Sequence, residues 1–188
     1  MSNNSWVETI AWTAGDGAAL VNSNVATSLL PGQAKPTLAA GLLRYVGQRM
    51  SLRAAGRIST VVTSPGTFTF SLRLGAVVVF NGGAMALNAV AKTNVSWILE
   101  ADIEVRAIGN GVQAALLGVG SWQSEAVIGS PLPTAGGAGE LILPASAPVV
   151  GTGFDSTIAQ TVDLFGAWSA ANAANSLQLH HFKLQLEN

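Results

Sequence analysis

Thr67-Phe68-Thr69-Phe70-Ser71-Leu72-Arg73-Leu74 alternates between two kinds of side chain. Phe68, Phe70, Leu72 and Leu74 are apolar, and Thr67, Thr69, Ser71 and Arg73 between them are polar. Successive side chains of a β-strand point to opposite faces of its sheet, so this octet predicts a strand with one buried and one wet face. The same period of two returns over residues 48–58, where Met50, Leu52, Ala54 and Ile58 oppose Arg49, Ser51, Arg53 and Arg57. It returns again over 95–105, with Trp97, Leu99, Ala101, Ile103 and Val105 opposite Ser96, Ile98, Glu100, Asp102 and Glu104. Weaker strand patterns cover 25–30, 76–80, 112–122, 123–128, 140–143, 157–164 and 176–186. In the last of these, Leu177 and Leu179 are apolar at odd positions, whereas Phe182, Leu184 and Leu186 are apolar at even ones. A shift of one residue sends every side chain to the other face, so His180-His181 is expected to mark a β-bulge.

Between these segments stand turn signals: Pro31-Gly32, Ser64-Pro65-Gly66, Asn81-Gly82-Gly83, Gly109-Asn110-Gly111 and Gly151-Thr152-Gly153. Asn110-Gly111, flanked by strand patterns, predicts a tight hairpin. Ala84–Ala91 is the only competitor for a helix, and the alanine-rich stretches 134–139 and 166–175 read as loops. Strands recurring roughly every 10–15 residues, without a long 3.6-residue period, define a sandwich or barrel. About eight to ten antiparallel strands favour an all-β jelly roll of two packed sheets. Residues 1–20 lack a clear strand pattern but hold Trp6 and Trp12. They are expected to form an extended N-terminal arm on a single jelly-roll domain spanning 21–188.

Composition bounds the function. Of 188 residues only 19 are charged, 9 Lys or Arg and 10 Asp or Glu. A typical soluble domain of this length carries roughly 47. A monomer of 19.2 kDa exposes roughly 8,400 Å², a sparse distribution of charge for a surface that must keep molecules apart. Other chains are therefore expected to cover part of it. A net charge of −1 supplies no electrostatic footprint for DNA or RNA, so no nucleic-acid partner is expected. No apolar run approaches the ~18 residues of a membrane-spanning helix, and the first residues lack the basic start and apolar core of a secretory signal. With 0 Cys there is neither a disulfide framework nor thiolate chemistry.

Chemistry-bearing motifs are few. The 2 His are adjacent, at 180–181, and lack the ligand spacing of a metal site. No Gly-x-Ser-x-Gly pattern marks a nucleophile. Glu100, Asp102 and Glu104 share one face of one strand, within the separation of glycosidase carboxylates. Their simpler role is a solvated face opposite Arg49, Arg53 and Arg57 on another strand, with cross-strand ion pairs between the two sets. Gly136-Gly137-Ala138-Gly139 lacks the Lys-Ser/Thr and the following helix of a phosphate loop, and Asp16, Asp155 and Asp163 are too isolated for a calcium loop. Neither cofactor nor metal is expected. Trp97 has the phase of a core residue. Trp6, Trp12, Trp122 and Trp168 lie in the arm or near turns, where tryptophan either caps a sandwich or anchors an interface.

Several segments resemble small jelly-roll virion proteins of tailed bacteriophages. These are 21–31 (Val-Asn-Ser-Asn-Val-Ala-Thr-Ser-Leu-Leu-Pro), 47–57 (Gly-Gln-Arg-Met-Ser-Leu-Arg-Ala-Ala-Gly-Arg), 72–75 and 97–109. Phe154-Asp155-Ser156-Thr157, Asp163-Leu164, Trp168-Ser169 and 172–176 complete the likeness, which runs through most of 21–186. The alanine- and glycine-rich insert near 130–150 and the N-terminal segment depart from it. The resemblance implies a non-enzymatic decoration or cement protein, made in the host cytoplasm, that binds the major capsid protein on the virion surface as a homotrimer. Interface candidates are Trp6 and Trp12 in the arm, Trp168 with Asn172 and Asn175 in a loop, and Arg49, Arg53 and Arg57 as a polar face. The alternative on the same fold is a carbohydrate- or receptor-binding tail or head-fibre domain, which calls for exposed aromatics along one sheet face or a loop cleft.

Overall fold

A computed structural model describes residues 6–61, 63–128 and 139–187. Residues 134–138 of the expected alanine-rich loop, and 1–5 of the expected arm, lie outside them. Thirteen strands occur among the described residues, in two sheets. The first sheet holds β1 (Val7–Trp12), β2 (Leu20–Val21), β5 (Arg49–Thr60), β9 (Lys92–Ala107), β10 (Ala115–Ser124), β11 (Glu140–Leu143) and β13 (Ser176–Glu187). Its order is β1-β13-β5-β9-β10-β11, with β2 also on β13. The second holds β3 (Thr27–Ser28), β4 (Thr37–Leu38), β6 (Thr67–Leu74), β7 (Val77–Asn81), β8 (Met85–Ala86) and β12 (Gln160–Trp168). Its order is β3-β12-β6-β7, with β4 on β12 and β8 on β6.

The chain crosses repeatedly between the sheets, and its last two strands close them. β13 lies between β1 and β5, and β12 lies between β3 and β6. That winding is a jelly roll, and every pairing in it is antiparallel. Four of the strands have two residues each, and the nine longer ones fall within the range expected from the sequence.

The opening octet is β6, and its even side chains fill the space between the sheets. Phe68 and Phe70 stand edge-on at 4.8 Å. Phe68 meets the Trp168 ring at 4.8 Å, and Phe70 meets Trp122 at 5.1 Å and Trp97 at 5.4 Å. Trp97 and Trp122 come from the first sheet and the two phenylalanines from the second, so this cluster joins the layers. All five are buried. Edge-to-face pairs of this kind add about 0.5–1.5 kcal/mol beyond the area they bury.

The phase change in β13 is a bulge. Leu179 pairs with Gly56 and His181 with Ala55, leaving His180 as the extra residue. A side chain at Gly56 would collide with the Gln178 carbonyl oxygen, so the bulge demands glycine opposite it. Thr13 secures the same turn of chain: its amide donates to the Phe182 carbonyl at 3.0 Å, and its Oγ1 accepts from the Phe182 amide at 2.9 Å.

Three expectations are corrected. Where an arm was expected, residues 7–12 form β1 along β13, and Ala11 and Leu20 reach the core. No helix forms over 84–91; Met85–Ala86 is the short strand β8. Asn110-Gly111 does sit in the β9–β10 hairpin, but a seven-residue connection, 108–114, replaces the tight turn. Within it the Gln113 amide donates to the Asn110 carbonyl at 3.1 Å, and Gly111 adopts φ 64°. The connection is longer because it is bonded to the 154–157 segment rather than only to itself.

Phe70→Ala is expected to cost about 3–5 kcal/mol in urea denaturation and to lower Tm by roughly 10 °C. Gly56→Ala, though it adds a single methyl group, should cost about 2 kcal/mol or more, because the carbonyl it meets cannot retreat without opening the bulge.

Candidate functional site

The outward side chains of the first sheet form a grid across six strands. One row reads Trp12, Lys183, Arg53, Glu100, Ser121 and Ile142, each the cross-strand partner of the next. The second reads Thr9, Gln185, Ser51, Asp102 and Val119, and the third Val7, Glu187, Arg49, Glu104 and Leu117. Arg49 and Arg53 thus stand on β5 and Glu100, Asp102 and Glu104 on β9, while β13 carries Lys183, Gln185 and Glu187; Val7 and Trp12 lie at one margin and Leu117, Val119 and Ile142 at the other. This order follows from the period of two: the inward partners of the same strands are Met50, Leu52, Leu99, Ala101, Ile103, Leu184 and Leu186, all buried.

Arg53 Nε lies 3.4 Å from Glu100 Oε1. Both side chains are more than half exposed, so the pair itself contributes well under 1 kcal/mol. Ser51 Oγ is 2.9 Å from Asp102 Oδ1 and 3.0 Å from Glu187 Oε1, placing its hydroxyl donor between two carboxylates. Glu104 meets Arg106 at 3.4 Å rather than Arg49, its partner in register. Arg57 donates to Gln178 Oε1 at 2.8 Å. A shallow groove of about 480 Å³ crosses the face between Arg53, Glu100, Asp102, Ser121, Lys183 and Gln185. Its walls mix charged and polar side chains with Leu52, Ala101 and Val119, and no aromatic ring lines it. The three carboxylates sit on an open sheet beside hydrogen-bond donors, without the apolar enclosure that equips a carboxyl group as a general acid.

The tryptophans divide in two. Trp6 and Trp12 are 58% and 63% exposed, at the start and end of the edge strand β1. Trp168, expected in a loop interface, is only 2% exposed; its Nε1 donates to the Leu20 carbonyl at 3.4 Å. Its even position, in phase with the buried Val162 and Leu164, was the signal that it faces inward. Asn175 is 1% exposed and braces two segments. Its Oδ1 accepts from the Val61 amide at 2.9 Å and its Nδ2 donates to the Pro65 carbonyl at 3.2 Å. Asn172 turns the same loop by accepting from the Ala174 amide at 2.9 Å. Of the expected Trp168–Asn172–Asn175 interface, Trp168 and Asn175 are therefore internal supports and Asn172 stays partly exposed, while Trp6, Trp12, Arg49, Arg53 and Arg57 remain at the surface.

His180 Nδ1 contacts Asp16 Oδ1 at 2.7 Å, tying the bulge to the segment after β1. Among the described residues no group of three or more His, Asp or Glu could hold a metal ion.

A second exposed set, missed by periodicity, lies on three loops at one end of the sandwich: Tyr45, Val46, Ile108, Val112 and Ile158. Apolar residues at turn positions were the available signal. These loops are joined through Asp155 and Ser156. Asp155 accepts from Thr157 Oγ1 at 2.6 Å and from the amides of Gly111 and Thr157, each at 2.8 Å. Ser156 Oγ accepts from the Gly109 amide at 3.0 Å, and the Ser156 carbonyl accepts from the Gly41 amide at 3.0 Å. The Thr157 hydroxyl foremost, and then the two amides, hold the Asp155 carboxyl below the usual carboxylate range.

Comparison with known proteins yields little. No family model and no curated protein matches the chain. Among solved structures it is similar to the CBM2 module of the evolved Dit of Lactobacillus casei BL23 phage J-1, with a TM-score of 0.39 and 10% identity. That alignment covers 98% of this chain and 97% of the other.

A carboxylate whose folded pKa is depressed stabilises the fold above its ordinary titration range and ceases to do so as pH falls through the lowered value. The protection of the Gly111 amide, the factor by which its exchange is slowed relative to an unstructured amide at the same pH, should accordingly fall in acid, below the ordinary carboxylate range. Asp155→Asn should show the lower protection already at pH 7 and lose the acid dependence, as read by hydrogen-exchange NMR.

Proposed function

We propose that this chain is a non-enzymatic structural protein of a phage virion, a decoration or cement protein that binds the outer surface of the capsid and stabilises the shell. The observation that carries this reading is the apolar edge of the first sheet, where Trp6, Val7 and Trp12 are each more than half exposed. An unpaired strand edge bearing large apolar side chains is a liability for a free monomer, and soluble proteins blunt such edges with charge. Glu8 is the only charge on β1. Tryptophan is also the residue most enriched among interface hot spots.

The sequence resemblance over 21–186 and the jelly-roll winding agree with this reading, and the homotrimer and the major capsid protein partner stand as parts of the same proposal. Its mechanism is buried area: roughly 1,600 Å² per contact, repeated over a symmetric shell. The carbohydrate- or receptor-binding alternative calls for aromatic platforms on a face or in a cleft. Here Trp97, Trp122 and Trp168 are spent on the core, the exposed rings of Trp6, Trp12 and Tyr45 stand at a sheet edge and a loop tip, and no ring lines the groove.

Because β1 is a strand of the sheet, deleting it would strip β13 of its neighbour, so side-chain replacement is the cleaner probe. Trp6→Ser with Trp12→Ser should weaken co-sedimentation with purified capsid shells of the phage that encodes the chain by at least about tenfold, since one hot spot is worth about 2 kcal/mol. Tm should move by less than about 3 °C, as both rings are exposed. Wild-type protein that ignores capsids, or labels only tails in electron micrographs, would overturn the cement assignment.

A further inference from the structure

We propose that the outer face of the first sheet pairs with the same face of a second copy, across a two-fold axis that runs along the strands between β5 and β9. The order of the grid carries this. Rotation about such an axis exchanges the two halves of each row while keeping the rows in step. Trp12 then meets Ile142 of the copy, Lys183 meets Ser121, and Arg53 meets Glu100. In the next row Ser51 meets Asp102, and in the third Arg49 meets Glu104. Trp12 thus covers Ile142, the arginines of β5 cover the carboxylates of β9, and Gln185 and Glu187 lie over Val119 and Leu117. An isologous interface requires this self-complementarity of a single patch.

Three further features fit. Arg53 and Glu100 already pair within one chain at 3.4 Å, so the copy's pair completes an alternating square of four charges. The long side chains of Lys183 and Gln185 come over the small or short residues Ser121 and Val119, which flank the copy's groove. A twisted sheet is saddle-shaped, and a two-fold axis along a central strand direction maps the saddle onto a congruent surface, so the faces stack without a gap. Six strands at ~4.8 Å and three rows at ~6.7 Å give roughly 500–600 Å² per partner, at the lower end of specific interfaces. The least favourable contact is Glu187 over Leu117, where the carboxylate keeps its bond from Ser51. The pairing does not depend on the capsid assignment; it covers Trp12, which leaves Trp6 as the edge tryptophan free for a capsid, and in a three-fold assembly it would join trimers in twos.

Sedimentation velocity of the full chain at micromolar concentration tests it. The expected mass is an even multiple of 19.2 kDa, falling as salt is raised from ~0.05 to ~1 M. Arg53→Glu and Glu100→Arg should each halve the mass, and the double replacement R53E/E100R should restore it, with circular dichroism melts confirming that all three fold. A wild-type mass of one or three copies, or single variants that keep the wild-type mass, would overturn the pairing; capsid binding could survive either result. A non-associating chain whose face binds a neutral oligosaccharide in NMR titration would also overturn it, and would assign the groove to a glycan.

Discussion

Two phenylalanines on one strand hold this molecule together. Phe68 and Phe70, from β6, reach Trp97 and Trp122 of the opposite sheet and Trp168 of their own, with ring centroids 4.8–5.8 Å apart. A chain with 0 Cys has no disulfide to couple its two sheets, so the aromatic cluster and the aliphatic core around it do so. The cluster also sets what must face outward. Once alternate residues of β5, β9, β10 and β13 are committed to it and to the aliphatic core, their neighbours have only the outer face. Trp122 Nε1 is left without a hydrogen-bond partner among the described residues, a cost that the aromatic contacts around it offset.

The sparse charge is therefore unevenly placed. Arg49, Arg53, Arg57, Glu100, Asp102, Glu104, Arg106, Glu140, Lys183 and Glu187, ten of the 19 charged residues, lie on one sheet face. Elsewhere, strand edges and loop tips present Trp6, Trp12, Tyr45, Val46 and Val112 to water. A surface divided in this way provides both a charged, self-complementary face and apolar patches. A protein that works by being covered needs both kinds of surface. A buried carboxylate secures the other sheet: Asp163 on β12 accepts from the half-buried Ser28 Oγ at 2.8 Å and meets the partly exposed Lys35 Nζ at 2.8 Å. This fastens the short strand β3, which has only two residues of its own to pair.

Much of this was legible before the structure, and the boundary follows range. Alternation in 67–74, 48–58 and 95–105 located β6, β5 and β9, because a period of two is a local consequence of the pleat. The bulge at His180 was legible for the same reason, as a break in phase within one strand. Trp168 and Asn175 were misplaced because nearness to a turn outweighed phase for the one, and a polar side chain suggested exposure for the other. The partners that bury Asn175, Val61 and Pro65, are over 100 residues away. β1 escaped notice because only Ala11 among its residues is buried, so an edge strand carries almost no alternation.

The amino-acid sequence by itself determined the strands, their inward faces, the break in phase of the last one and the shortage of charge, since each depends on neighbours within a few residues. Only the tertiary structure decided which strands lie side by side. That choice placed Arg53 against Glu100, put Trp12 on a sheet edge and drew Trp168 into the core. Pairing partners along β5, β9 and β13 are separated by about 30 to 140 residues of chain. They are selected by how the whole set of inward faces packs around Phe68 and Phe70, a condition that no short stretch of residues contains.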